Sequence, residues 1–279
     1  MGNNLEEFQK VRGKVLGLKL YLNQTTGNFL LDPTHLGKIF QAWPNPPAGG
    51  SLILFHTENE TFDLVLNVLK KNPRPVYLCH LSTKYELQKV MEAKELGLPI
   101  TCGVTPHHLF LTDEDAKALG PFGVMKPPLR SRKDVDFLWK HIDEIDVIES
   151  DHAPHTIKEK QSETQYFGVP GLETTLPLLL TAVKEGKLTI DDIIRLCHTN
   201  PAKIFHIIDD PQTKIEVDLD EEWIIENKNL FTKCKWSPFN EWEVKGRVKR
   251  VSLRGEKVFE DGNILTKPGS GKILSLDFA

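Results

Sequence analysis

Between residues 15 and 206, short apolar runs alternate with longer stretches in which apolar residues recur every three or four positions. The short runs predict strands over 15–22, 51–56, 75–80, 100–104 and 146–150, bounded by Gly, Pro, Asn or Asp. The longer stretches predict helices over 60–71, 83–96, 112–119, 131–141 and 172–185. In the second of these, Leu87, Val90, Met91 and Ala93 fall on or near one stripe with Lys and Glu opposite, and Ser82 or Thr83 can cap its start. Strands alternating with helices of this length imply βαβ units, a parallel sheet and an α/β fold.

After about residue 207 the period drops to two, as in Lys214-Ile215-Glu216-Val217-Asp218-Leu219 and Val248-Lys249-Arg250-Val251-Ser252-Leu253. Asp261-Gly262 suits a hairpin turn between Val258-Phe259 and Ile264-Leu265. Residues 207–279 therefore read as a small antiparallel β-module beside an α/β part spanning 1–206. The stretch 43–50, WPNPPAGG, reads as a short rigid loop.

Composition narrows the function classes. The chain has 279 residues, 27% of them charged, and a net charge of −4, which gives no electrostatic reason to expect nucleic acid or an anionic membrane as partner. Apolar runs such as 176–183 fall well short of the roughly 20 residues of a membrane crossing. The first residues lack the basic-then-apolar layout of a secretory signal, so a cytoplasmic location is expected. Cys79, Cys102, Cys197 and Cys234 show no CxxC pairing, and no disulfide framework is expected.

The placement of the histidines points to chemistry. His56 and His80 end predicted strands, and Asp151, His152 and His155 follow another. In a parallel α/β barrel, side chains at the C-terminal strand ends converge on one site. Imidazole and carboxylate meeting at one rim suit a divalent metal, zinc above all, whereas one isolated histidine is more readily a capping or packing residue. Lys19 lies inside the apolar run Val15-Leu16-Gly17-Leu18-Lys19-Leu20-Tyr21-Leu22, where an unpaired ammonium would be costly to bury. Either its stem snorkels to a barrel mouth, or burial lowers its pKa and leaves an amine that carbon dioxide can carbamylate into an anion able to bridge two metals.

Five ordered segments carry a family resemblance: Gly17-Leu18-Lys19-Leu20-Tyr21-Leu22-Asn23, Leu78-Cys79-His80, Val104-Thr105-Pro106-His107-His108-Leu109-Phe110, Ser150-Asp151-His152-Ala153-Pro154-His155-Thr156 and Pro170-Gly171-Leu172-Glu173-Thr174. Together they resemble dihydroorotase of the amidohydrolase superfamily, most of all the dihydroorotase domains of animal multifunctional pyrimidine-synthesis proteins. The resemblance implies a binuclear zinc site in which a carbamylated Lys19 bridges the metals, His56 and His80 bind one zinc and Asp151 binds the other. The bridging water, acidified by both metals, would attack the ring amide carbonyl, with Asp151 relaying its proton to the leaving nitrogen. The reaction so implied is reversible interconversion of N-carbamoyl-L-aspartate and dihydroorotate. Thr25 matches a lid residue, His155 a contact to the substrate carboxylate, and backbone near Phe167 and Gly168 the part that reads the ring edge. Related hydantoinases and allantoinases share the Asp-His-Ala-Pro-His segment.

Departures from the pattern carry their own expectations. Lys126 stands where the animal enzymes have arginine, replacing a planar fork by a point contact. Thr26 stands where their lid has an aromatic residue, removing apolar cover. A third-metal glutamate corresponds to Gly103, which leaves Cys79 without that partner and a third zinc in doubt. No His-x-His occurs, although the family places one at the first barrel strand to complete the zinc held by Asp151. Lys19 matches the fourth strand, so a partial (β/α)8 barrel of about strands 4–8 is expected. An open parallel sheet exposes its edges. Two outcomes follow: a dihydroorotase completed by an N-terminal chain or by homo-oligomerisation, or an inactive scaffold that binds another pyrimidine enzyme, for example aspartate transcarbamoylase.

Overall fold

A computed structural model of the chain describes residues 4–11, 13–27, 29–44, 51–164 and 166–273. Five parallel strands, β1 (Gly17–Tyr21), β2 (Leu52–His56), β3 (Val76–Leu78), β4 (Ile100–Val104) and β5 (Val147–Ile148), stand side by side in chain order. The α/β expectation is met, with β1 and β5 at the margins of the sheet. Each expected strand is present, several of them shorter than the apolar run that signalled it. Before β5 the Asp146 carboxylate takes the Cys102 N–H at 2.8 Å, so the ladder there runs partly through a side chain.

The expected helices form at Glu60–Lys71, Lys84–Glu95, Asp113–Leu119, Arg132–Lys140 and Leu172–Lys184. Their starts follow from local chemistry. Thr83 with Glu86 and Thr112 with Asp115 form capping boxes, each satisfying helix-end N–H groups that would otherwise lack partners. Phe62, Val65, Leu66 and Leu69 face the sheet from one helix, and Leu87 and Val90 from the next; they join Ile53, Phe55, Leu78 and Val104 in one continuous core. Each such side chain contributes about 1.5–3 kcal/mol by leaving water.

The tail forms a second, antiparallel sheet: β6 (Lys214–Ile224), β7 (Glu243–Leu253), β8 (Glu256–Glu260) and β9 (Asn263–Ile264), with Asp261 and Gly262 turning between the last two as expected. It joins the first part through a core of Leu111, Met125, Val169, Leu178, Trp236 and Val244. The Thr181 hydroxyl also accepts the Lys245 N–H at 2.8 Å.

Arg74 is a buried staple. Its guanidinium donates to the carbonyls of Phe40, Trp43, Pro44 and Ser51 at 2.6–2.9 Å, tying the two sides of the expected 43–50 loop together. Residues 45–50 of that loop lie outside the described residues. Among the described residues, no helix is long and apolar enough to cross a membrane.

Candidate active site

The C-terminal ends of β1 to β5 bring the expected groups to one rim. His56 ends β2, His80 follows β3 and Asp151 follows β5, while Lys19 projects from the middle of β1. His80 and Asp151 both adopt positive φ, 41° and 39°, a left-handed bend that turns each side chain out of its strand direction. His56 Nδ1 and His80 Nε2 are 3.0 Å apart, and both rings are buried. Burial, with Lys19 and His56 nearby, holds the His80 pKa well below the usual histidine value, so the ring is neutral.

Behind these rings lies a carboxylate that sequence reasoning missed. The Glu149 carboxyl accepts the His80 N–H and neighbours Lys19 and Asp151; burial pushes its pKa up to about 7, against the pull of the His80 N–H and Lys19. Gly103 on β4 makes this possible: a Cβ there would lie 2.0 Å from the Tyr77 hydroxyl and 2.5 Å from Glu149 Oε1. The position matched to a family glutamate is therefore filled from the neighbouring strand. A charge in the strand-end sequence Val147-Ile148-Glu149-Ser150 was the available signal.

For Lys19 one expectation is corrected. Burial does disfavour its ammonium, but Cys79, Glu149 and Tyr21 outweigh burial and raise its pKa above the ordinary lysine value. Burial pushes the Cys79 thiol up to about 12, with Glu149 adding to the effect. Burial also raises Asp151, against Lys19 and His56. A second missed carboxylate, Glu58, places Oε1 3.5 Å from His56 Nε2, and Arg130 holds its other oxygen at 3.3 Å.

The expected substrate-side residues gather around a different segment. His155 Nε2 lies 3.2 Å from the Phe167 carbonyl, and the Lys126 ammonium sits 5.5 Å from the Phe167 ring centroid. Gly168 has φ +135°, and a Cβ there would lie 2.4 Å from the Ala153 carbonyl, so only glycine lets this segment press so close. The Lys160 ammonium braces it from below, donating to the carbonyls of Val124, Tyr166 and Gly168 at 2.7–3.1 Å. Burial brings its pKa down to about 8. Thr25 is half-buried in the loop after β1. Its neighbour Thr26, expected only to remove apolar cover, hydrogen-bonds the Phe167 backbone instead.

The two imidazoles suit a divalent metal. The facing nitrogens, His56 Nδ1 and His80 Nε2, stand 3.0 Å apart, near the roughly 3.3 Å between two nitrogens on one tetrahedral zinc. The outer nitrogens, His56 Nε2 and His80 Nδ1, are buried without hydrogen-bond partners. Among the described residues, however, no three His, Cys, Asp or Glu side chains converge closely enough to hold an ion. Lys19 lies near enough to His80 to lower its pKa, but as an ammonium it offers the pair no lone pair.

The chain is similar to proteins of known name. It is 44% identical over 272 residues to the multifunctional protein CAD of Squalus acanthias, covering 97% of this chain and 12% of that protein. It is 39% identical over 243 residues to the dihydroorotase of Pyrococcus furiosus, covering 85% of this chain and 56% of that enzyme. Among solved structures, the L-hydantoinase of Arthrobacter aurescens superposes with a TM-score of 0.86 at 24% identity, covering 96% of this chain and 70% of that one. The inactive dihydroorotase-like domain of a CAD-like multifunctional protein from Chaetomium thermophilum superposes with a TM-score of 0.78 at 26% identity, covering 95% of this chain and 74% of that one. No protein-family model matches the chain. The resemblance of the five motifs to dihydroorotase is borne out, and the chain is a homologue of those proteins that spans part of their length.

Proposed function

We propose that the chain carries the strand 4–8 portion of a zinc-dependent dihydroorotase, interconverting N-carbamoyl-L-aspartate and dihydroorotate when further barrel strands complete it. One observation carries this reading: Lys19, His56, His80 and Asp151, matched to dihydroorotase motifs, lie on or just after the parallel strands of one sheet. His56 and His80 would hold one zinc, joined by Lys19 only once its amine, protonated in the metal-free chain, is deprotonated and carbamylated; Asp151 would hold a second zinc whose other ligands this chain lacks. Bound metal would acidify a water and polarise the ring carbonyl. Asp151, whose pKa burial raises, takes the water's proton and returns it to the ring nitrogen. His155 and Lys126 meet the substrate carboxylate, and the Phe167–Gly168 backbone reads the amide edge of the ring.

A direct test is dihydroorotate hydrolysis by the purified chain, alone and co-expressed with an N-terminal segment bearing a His-x-His pair. The chain alone should show at most marginal turnover, the combination should restore it, and Asp151→Ala should abolish it. Full turnover with two zincs on the chain alone would overturn the account of missing ligands. A second reading, an inactive scaffold docking aspartate transcarbamoylase or another pyrimidine enzyme, is favoured by the Lys126, Thr26 and Gly103 replacements. Failure of both restoration and Asp151 dependence would put it ahead.

A further inference from the structure

The Thr26 hydroxyl engages both polar groups of one residue: it accepts the Phe167 N–H at 2.9 Å and donates to the Phe167 carbonyl at 3.2 Å. The same carbonyl lies 3.2 Å from His155 Nε2. Around it the remaining backbone is also committed, with Gly168 N–H donating to the Val124 carbonyl at 3.2 Å and the Gly168 carbonyl accepting from Lys160. Retreat is blocked by the close approach of Gly168 to Ala153. An incoming molecule can therefore reach a donor and acceptor on this segment only by displacing a present partner. Thr26 is the removable one: it is half-buried on a loop 141 residues away in sequence, whereas Lys160 is buried.

From this geometry we propose that Thr26 is a specificity-determining residue, a clasp that holds the Phe167 N–H and carbonyl and must yield before a cyclic amide can pair its own N–H and carbonyl edge there. The proposal rests on the dihydroorotase reading for the identity of the ligand, but not for the clasp. Substrate recognition then depends on exchanging one paired edge for another. A ligand presenting a single acceptor recovers only half of what it displaces, which selects against it.

Thr26→Val keeps the shape and removes the hydroxyl; Thr26→Ser keeps the hydroxyl. Two readouts separate the clasp from the ligand: amide exchange at Phe167 by NMR, and dihydroorotate binding by calorimetry to the chain completed by the co-expressed N-terminal segment. Thr26→Val should speed Phe167 exchange about tenfold and tighten dihydroorotate binding by a similar factor, with Thr26→Ser matching the wild type. Unchanged exchange in Thr26→Val, or weaker dihydroorotate binding than wild type, overturns the proposal. Faster exchange with no dihydroorotate binding by any variant supports the clasp and instead sinks the dihydroorotase reading.

Discussion

His56 Nδ1 and His80 Nε2 face each other across 3.0 Å, with ring centroids 4.7 Å apart and planes 70° from parallel. Two bare lone pairs repel at this distance, so either one nitrogen carries a proton or a cation sits between them. Zinc titration monitored by metal analysis should find about one weakly held zinc per chain, and His80→Ala should lose it. Retention of that zinc by His80→Ala would place the metal elsewhere.

Gly103 and Tyr77 are coupled through space. A methyl at Gly103 collides with the Tyr77 hydroxyl, which is buried without a hydrogen-bond partner. Gly103→Ala should destabilise the fold by about 1–3 kcal/mol in urea unfolding, the usual range for overpacking. Adding Tyr77→Phe should recover part of that loss; strictly additive effects would show that the hydroxyl is not the obstacle.

Arg74→Met should lower the urea midpoint, at a cost of about 3 kcal/mol or more, because four backbone carbonyls lose their shared donor. An unchanged midpoint would mean that water replaces the guanidinium freely.

His108 gives the fold an acid sensitivity. Its ring bonds the Thr105 hydroxyl at 2.8 Å and the Pro127 carbonyl at 3.1 Å, and burial, only partly offset by the Pro127 carbonyl, brings its pKa down to about 4. Between pH 6.5 and about 4 the unfolded chain binds a proton that the folded chain refuses, so stability falls as pH drops through that window. Urea midpoints measured from pH 7.5 to 4.5 should therefore decline, and less steeply in His108→Gln. Equal slopes in the two proteins would assign the decline to other groups.

The sequence was a good guide wherever information is local. Apolar periodicity located β1 to β5, a cap at Ser82 or Thr83 marked a helix start, and Asp261-Gly262 marked a turn. The strand-end histidines were legible because strand direction alone brings them to one rim. Glu149, Thr26 and Arg74 were not, because their partners are 69, 141 and up to 34 residues away and no periodicity records such pairings. Lys19 was half legible: its place in the strand announced burial, but the groups that outweigh burial come from β1 and from the residues just after β3 and β5.

The order of the parallel sheet has a consequence for assembly. Each strand from β2 to β5 pairs with the strand that precedes it in the chain, so the sheet can grow by successive docking as residues emerge, without threading any segment between strands already paired. A strand arriving on the outer side of β1 would lengthen the sheet along Gly17 to Leu20, and at Tyr21 it would meet the parallel bridge to Leu30. Growth at that margin adds to the ladders already formed and leaves the pairing of β2 to β5 as it is.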